Sequence, residues 1–228
     1  KDFQKLLQNL KDNLPGLEID CRLRPEGKSS QLVWDIEDYK KYFSNRARIW
    51  ELQAFTKCRF VSGNISLFNN FYTNYIQAVK QKDPELIKRE MIDMRKKLYP
   101  LNDAQFNFKK KSGGLTDIDF LISYLFLTNP NLLVEQTDIK AANCFELIKQ
   151  VSRKEINFDQ VEINYYLLKQ FELINQLVFN TRLSKIPTEE IKQKKLSNEC
   201  GFINSKLFLE KLNEIIEQTR KYYQNIFN

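Results

Sequence analysis

The 228 residues carry 36 Lys and Arg against 29 Asp and Glu, a net charge of +7, and no histidine, so neither a zinc site nor a mechanism with imidazole as its base is expected. The length suits one large domain or two small ones, and the 42% hydrophobic content provides for a buried core. Six glycines and six prolines are too few for a turn-dense all-β chain, while Leu, Lys, Glu and Gln favour helices.

Cys21, Cys58, Cys144 and Cys200 are far apart in sequence and read as reduced cysteines packed as small apolar groups. No apolar run approaches a membrane span and KDFQKLLQNL lacks the architecture of a signal peptide, so a soluble, cytoplasmic protein is expected, with no membrane partner. The chain starts at Lys1 in helical pattern, and a fragment of something longer is expected.

In chain order, Phe3, Leu6, Leu7 and Leu10 predict an amphipathic helix over 2–13, broken at Leu14-Pro15-Gly16. IDCRLRPEG then reads as a short strand over 17–24. Alternation puts Asp20, Arg22 and Arg24 on one face and Ile19, Cys21 and Leu23 on the other, with Pro25 ending the strand. A carboxylate followed by two guanidiniums suits a metal ion held beside a phosphate. It equally suits a half-buried edge strand with a surface ion pair.

From about residue 35 the pattern is helical. Asp35 caps a helix carrying Ile36, Tyr39 and Phe43 inward, and residues 46–61 read as another, with Ile49, Trp50, Phe55 and Phe60 as apolar contacts. After Gly63 and Asn64 comes a helix whose Phe68, Phe71, Tyr72 and Tyr75 stripe reads as core. Asp83-Pro84-Glu85 opens a helix running to about Tyr99, where Pro100 stops it. Its Arg89, Arg95, Lys96 and Lys97 read as a solvated face.

Residues 101–115 form a loop carrying Lys109, Lys110, Lys111, Ser112, Gly113 and Gly114 ahead of a helix. Three lysines and a glycine pair at a helix start suit an anion such as a phosphate, although an ordinary loop has the same look and the Walker spacing is absent. Asp117 and Asp119, two apart on a helix, do not chelate one metal together, and Asp117 favours the dipole. Amphipathic segments at 138–153, 159–184, 188–199 and 204–227 complete a mainly α chain, a multi-helix bundle with one short strand element.

The islands IDCRLRPEGKS, Trp50-Glu51 with LQAFTKCRFVSGN, MIDMRKKL and FNFKKKSGGLTDIDF, in that order, resemble the glutamine synthetase adenylyltransferase family. The resemblance covers residues 15–125 and implies that 1–33 are the C-terminal edge of a nucleotidyltransferase domain and 34–228 a helical domain. It implies an enzyme attaching AMP from ATP to a tyrosine of glutamine synthetase, or removing it, with Mg²⁺ as cofactor and ATP as substrate. Asp20 takes the third catalytic aspartate's place as a metal ligand, and Arg22, Arg24, Lys109, Gly113 and Gly114 that of nucleotide and phosphate contacts. Glu51, Arg59, Arg95, Asp117 and Asp119 are the site-lining candidates. Implied partners are glutamine synthetase, a PII signal protein and the upstream part of the same polypeptide.

The sequence departs from the family at Ser30, Gln31, Asn107, Lys111 and Asp119, where Gly, Pro, Asp, Gly and Glu are usual. The family's Gly-Ser turn and Asp-x-Asp strand pair do not precede Asp20; they are expected upstream of Lys1, and the isolated chain is expected to be inactive. If Asn228 is a natural end, the adenylylating half is expected. The competing reading is a noncatalytic helical module binding a partner protein; nucleic acid rests only on the net charge and is not expected.

Overall fold

The computed structural model describes residues 2–17, 19, 21, 24–27, 30–98, 106–135, 144–152 and 158–227, with the backbone alone at 133–135 and 144–145. Among them are eleven helices: α1 (Asp2–Asn13), α2 (Ile36–Asn45), α3 (Ile49–Phe55), α4 (Ile65–Lys80), α5 (Pro84–Leu98), α6 (Leu115–Thr128), α7 (Pro130–Glu135), α8 (Cys144–Ser152), α9 (Asp159–Val178), α10 (Glu190–Glu199) and α11 (Ser205–Phe227). The mainly α class is what the composition predicts. The described residues contain no strand. Of the stretch expected as one, residues 17, 19, 21 and 24 are irregular and 18, 20, 22 and 23 lie outside the described residues. A lone strand leaves its backbone groups without a ladder.

Local chemistry sets the helix starts. The Asp35 carboxylate accepts the Asp38 N–H at 2.8 Å, and the Asn64 side chain accepts from Ser66 and Leu67 at 2.9 and 3.2 Å. Helix α3 is shorter than the expected 46–61 because both of its ends are specified. Glu51 reaches back to the Arg48 N–H at 3.0 Å and sets the start. At the other end the Thr56 hydroxyl donates to the Gln53 carbonyl at 2.7 Å, and the Cys58 N–H donates three residues back to Phe55 at 3.0 Å, a tightening that ends the helix. Helix α7, not anticipated, has Pro130 at its first position, where the missing N–H costs nothing. The expected end of α5 at Tyr99 and Pro100 lies outside the described residues.

The chain divides into two compact units. Unit 1 comprises Lys1–Pro84 and Leu127–Ala142. Its core is the packing of α2 on α4, with α3 and α7 also against α4. Tyr42, Phe43, Leu52, Tyr72, Tyr75 and Val79 are all but sealed from solvent. Phe43 meets Phe55 edge-on at 5.3 Å, and Tyr39 meets Phe71 at 4.9 Å. The aromatic stripe of α4 is core at Tyr72 and Tyr75, as its spacing predicts, and half-buried at Phe68 and Phe71. The buried Tyr75 hydroxyl donates to the Leu52 carbonyl at 3.0 Å, so the ring's polar end is satisfied.

Unit 2 comprises Glu85–Phe126 and Asn143–Asn228. Helices α9, α10 and α11 pack on one another, with α8 against α9, around Leu168, Phe171, Leu196, Phe208, Leu212 and Ile215. A short antiparallel bridge joins Asn107 to Lys185. The Phe108 N–H donates to the Ser184 carbonyl at 2.8 Å and the Ile186 N–H to the Phe106 carbonyl at 3.0 Å.

Candidate functional site

Asp20 and Arg22 lie outside the described residues. Just after them in the chain, unit 1 forms a tight turn. The Gly27 N–H donates to the Arg24 carbonyl at 3.0 Å, Pro25 is buried, and Glu26 takes a φ of 58°, an uncommon backbone for a residue with a side chain. The Arg24 guanidinium donates to the Cys21 carbonyl and, at 3.3 Å, to that of Ser30, so it braces both sides of the turn.

Beneath the turn lies Glu51, only 6% exposed. One of its oxygens accepts the Glu26 N–H at 3.3 Å and the other the Arg48 N–H at 3.0 Å. A single buried carboxylate therefore ties the RPEG turn to the start of α3, which gives a physical reason for two of the sequence islands to occur together. Glu26 pairs with Arg46 at 2.5 Å, and the Arg46 guanidinium stacks 5.7 Å from the Trp34 ring. Arg24, Glu51, Trp50, Phe55, Lys57 and Cys58 line a hollow of about 250 Å³. Burial pushes the Cys58 thiol up to about 11, so at neutral pH it is an unreactive, packed group, in line with the expectation for the cysteines. Arg59 is exposed, on the rim of a broader groove of about 630 Å³ walled by Trp34, Tyr39, Phe60, Phe68 and Phe71.

The other candidates belong to unit 2. Arg95 is not part of a solvated face as expected. It is 8% exposed and its guanidinium pairs with Asp117, itself 1% exposed, because α5 turns this position inward with Ile87 and Met91. The second Asp117 oxygen accepts the Gly113 N–H at 2.6 Å. The anion held at this glycine turn is thus the chain's own Asp117. Gly113 has a φ of 88°, and a Cβ there would come within 2.2 Å of the Ile216 carbonyl oxygen. The Gly114 N–H donates to the Lys111 carbonyl at 2.7 Å, and a Cβ at Gly114 would lie 2.7 Å from the Phe108 oxygen. Both glycines serve close approach: one seats the loop on α11, the other folds the loop onto itself.

Asn107, where the resembled family has Asp, caps the same loop, its side-chain oxygen accepting the Lys109 and Lys110 N–H groups at 2.9 Å each. An amide oxygen performs this as a carboxylate would, without adding charge to a buried position. Lys109 extends to 3.6 Å from Glu172. Glu172, 1% exposed, was not singled out from sequence. It accepts from Lys169 at 2.7 Å and Ser184 at 2.5 Å. Burial pushes its carboxyl upward, yet these hydrogen bonds and the charges of Lys169 and Lys109 prevail and hold it below the ordinary carboxylate range. Tyr223, raised by burial and by the Asp117 charge, completes the surroundings of the Arg95 pair. Asp119 is half-buried on α6.

The structure thus brings Arg24 together with Glu51 in one unit, and Arg95, Gly113 and Asp117 in the other. Glu172, Tyr223 and Glu26 carry no local sequence signal, since each acts on residues distant in the chain or through its backbone. Among the described residues no group of three or more Asp, Glu, Cys or His side chains is placed to hold a metal ion; Asp20, the magnesium ligand that the resemblance implies, lies outside them. No described helix is long and apolar enough to cross a membrane.

Residues 4–92 match the family model for glutamate-ammonia ligase adenylyltransferase. Among curated proteins, the bifunctional glutamine synthetase adenylyltransferase/adenylyl-removing enzyme of Shewanella frigidimarina is 38% identical over 125 residues, covering 53% of this chain and 13% of the relative. The same-named enzyme of Aromatoleum aromaticum is 36% identical over 124 residues, with the same coverage. That of Burkholderia pseudomallei is 30% identical over 146 residues, 60% of this chain and 16% of the relative. The match thus spans a small part of each relative's length. Over residues 4–92 the chain is similar to the glutamate-ammonia ligase adenylyltransferase family, the family that its ordered islands resemble.

Proposed function

We propose that this chain works within a nucleotidyltransferase that attaches AMP from ATP to a tyrosine of glutamine synthetase, or removes it. Residues 1–33 would form the edge of the nucleotide-transfer domain and 34–228 the helical domain beside it. The observation that carries this reading is the relation over residues 4–92 to enzymes named for that activity. The Glu51 tie between the RPEG turn and α3 supports it: a buried carboxylate spent on two backbone N–H groups holds the turn that follows the Asp20 to Arg24 motif in the chain against the start of α3.

In this reading Asp20 contributes a carboxylate to the nucleotide site and Arg22 offers a planar fork to phosphate oxygens beside Arg24, which also braces the turn through the Cys21 and Ser30 carbonyls; in unit 2, Lys109 is the cation offered to phosphate. Gly113 and Gly114 position the Lys109 loop, since their N–H groups are already engaged. Glutamine synthetase is the substrate partner, a PII protein a regulatory one, and the compartment the cytoplasm. The 228-residue chain alone is inactive.

The test is AMP exchange on glutamine synthetase by the complete gene product. Wild type should add or remove AMP, and Asp20→Asn, which keeps size and removes charge, should cut the rate about 100-fold or more while leaving stability unchanged. Lys109→Ala should weaken ATP binding more than Lys192→Ala, a surface residue paired with Glu189 at the start of its own helix; equal effects mean that only diffuse charge is felt. A wild-type gene product inert toward glutamine synthetase, or Asp20→Asn at full rate, overturns the reading.

A further inference from the structure

Glu172 stands on the buried face of α9 with Leu168, Phe171 and Asn175, and three parts of unit 2 converge on it. Ser184 donates its hydroxyl at 2.5 Å, Lys169 of the same helix its ammonium at 2.7 Å, and Lys109, from the loop ahead of α6, brings its ammonium to 3.6 Å. Holding the backbone in this place does not require a charge. Neighbouring amides do so: Asn175 donates to the Leu183 and Lys185 carbonyls at 3.3 Å each, and Asn107 accepts the Lys109 and Lys110 N–H groups. A buried carboxylate bears a desolvation cost that an amide largely escapes. Its use therefore lies with the groups that respond to charge, the two lysines.

Those lysines are bound in different ways. Lys169 spends a hydrogen bond on one oxygen while Ser184 takes the other. At 3.6 Å Lys109 is beyond hydrogen-bond range, so the charge attracts its ammonium while leaving the N–H donors unspent. Its side chain is 50% exposed. Its backbone is fixed at both groups, the N–H on the Asn107 side chain at 2.9 Å and the carbonyl accepting the Thr116 N–H at 3.2 Å. Lys111 of the same loop is engaged elsewhere, its ammonium 5.5 Å from the centre of the Phe106 ring. Lys109 is thus anchored at its root, steered at its tip and open to solvent with its donors available.

We propose that Glu172 is the positioning residue for Lys109: its buried carboxylate holds the ammonium in one direction without taking its hydrogen bonds, so that a phosphate oxygen meets a cation already ordered. This rests on the reading of Lys109 as the cation offered to phosphate in unit 2. A lysine immobilised by its ligand gives up rotamer freedom at that moment, whereas one ordered beforehand does not. The alternative has the opposite sign. A carboxylate felt by phosphate only through its charge repels it, and removing that charge tightens binding.

Equilibrium dialysis of ATP against the complete gene product, at a temperature where thermal unfolding shows every variant folded, tests this without turnover. Lys109→Ala should weaken binding, and Glu172→Gln should weaken it by about 5-fold although it removes a negative charge. In the Lys109→Ala background Glu172→Gln should add nothing beyond about 1.5-fold, because its effect passes through that lysine. Glu189→Gln, which removes the same charge from an exposed pair with Lys192, should leave binding unchanged. Glu172→Asp keeps the charge on a shorter stem and should lose about 2-fold; it carries the same cycle should Glu172→Gln not fold. If Lys109→Ala weakens binding while Glu172→Gln leaves it unchanged or tighter, the positioning role is overturned and the reading of Lys109 stands. An equal loss from Glu172→Gln with and without Lys109 shows general loosening of the loop and overturns the role as well. ATP binding indifferent to Lys109→Ala overturns the reading of Lys109 and this role with it.

Discussion

The two units solve the same problem with different chemistry. In unit 1, α2, α3 and α4 are joined by rings: Tyr39, Phe43, Phe55, Phe71 and Tyr75 meet one another at centroid distances from 4.9 to 5.9 Å. In unit 2, the loop at 106–114 is held by buried polar groups: Asp117 on Arg95 and Gly113, Glu172 on Ser184 and Lys169, and Asn107 on two N–H groups. Rings tolerate small displacements, because dispersion and quadrupole terms are broad in geometry. Buried polar groups do not, because each donor or acceptor left alone bears its desolvation. The helices of unit 1 are therefore expected to survive single truncations better than the unit 2 loop.

The severest test of that contrast is Asp117→Ala. It removes the carboxylate from beside a buried guanidinium and from the Gly113 N–H, and should cost about 4 kcal/mol, measured by urea unfolding. Replacing Arg95 and Asp117 together with Met and Leu should recover most of the loss; a double variant as unstable as Asp117→Ala would show that packing, not charge, holds the loop. Gly113→Ala comes next, at about 3 kcal/mol, from the positive φ and the collision with the Ile216 carbonyl. Hydrogen exchange should show the loss concentrated in residues 106–117.

Glu172→Gln should cost about 2 kcal/mol by weakening two hydrogen bonds from charged and hydroxyl donors. It also sharpens the contrast through pH. The native carboxyl lies below its ordinary value of 4.5, so its contribution is fully present above that value and disappears as pH falls through the depressed native one. Wild type should lose stability over that acidic window, and Glu172→Gln should show a flatter profile there. The smallest effect falls in unit 1: Asn64→Ala removes the α4 cap and should cost about 1 kcal/mol, with the ring cluster holding the helix in place. A loss above that of Glu172→Gln would break the comparison.

What was legible in the sequence was what neighbours in sequence decide. Asp35 and Asn64 are caps whose partners lie within three residues, α5 opens at the Pro84 that its sequence announces, and the α4 stripe is a matter of periodicity. Mainly helical architecture follows from the same signals. The Arg95–Asp117 pair was hidden because a basic residue among lysines reads as surface until α6 supplies its carboxylate. Gly113 and Gly114 look alike in sequence to a phosphate loop, since close approach to a ligand and to the chain's own backbone ask for the same residue. Glu172 was invisible: nothing adjacent to it announces Ser184 across a bend. Glu51 was visible as a motif residue, but its bond to the Glu26 N–H crosses 25 positions and needed the fold.

The seat of the 106–114 loop on α11 also orders events in time. The Arg220 guanidinium donates to the Ser112 carbonyl across 108 residues, and the Gly113 turn abuts Ile216 over a similar stretch of chain. A contact that closes so long a segment bears a large loop entropy and gains little until the intervening helices are in place. It is expected to form late in folding. Strengthening a contact that forms late slows unfolding more than it speeds folding, and stopped-flow unfolding of an Arg220→Ala variant, expected to be faster than wild type at an equal refolding rate, checks this.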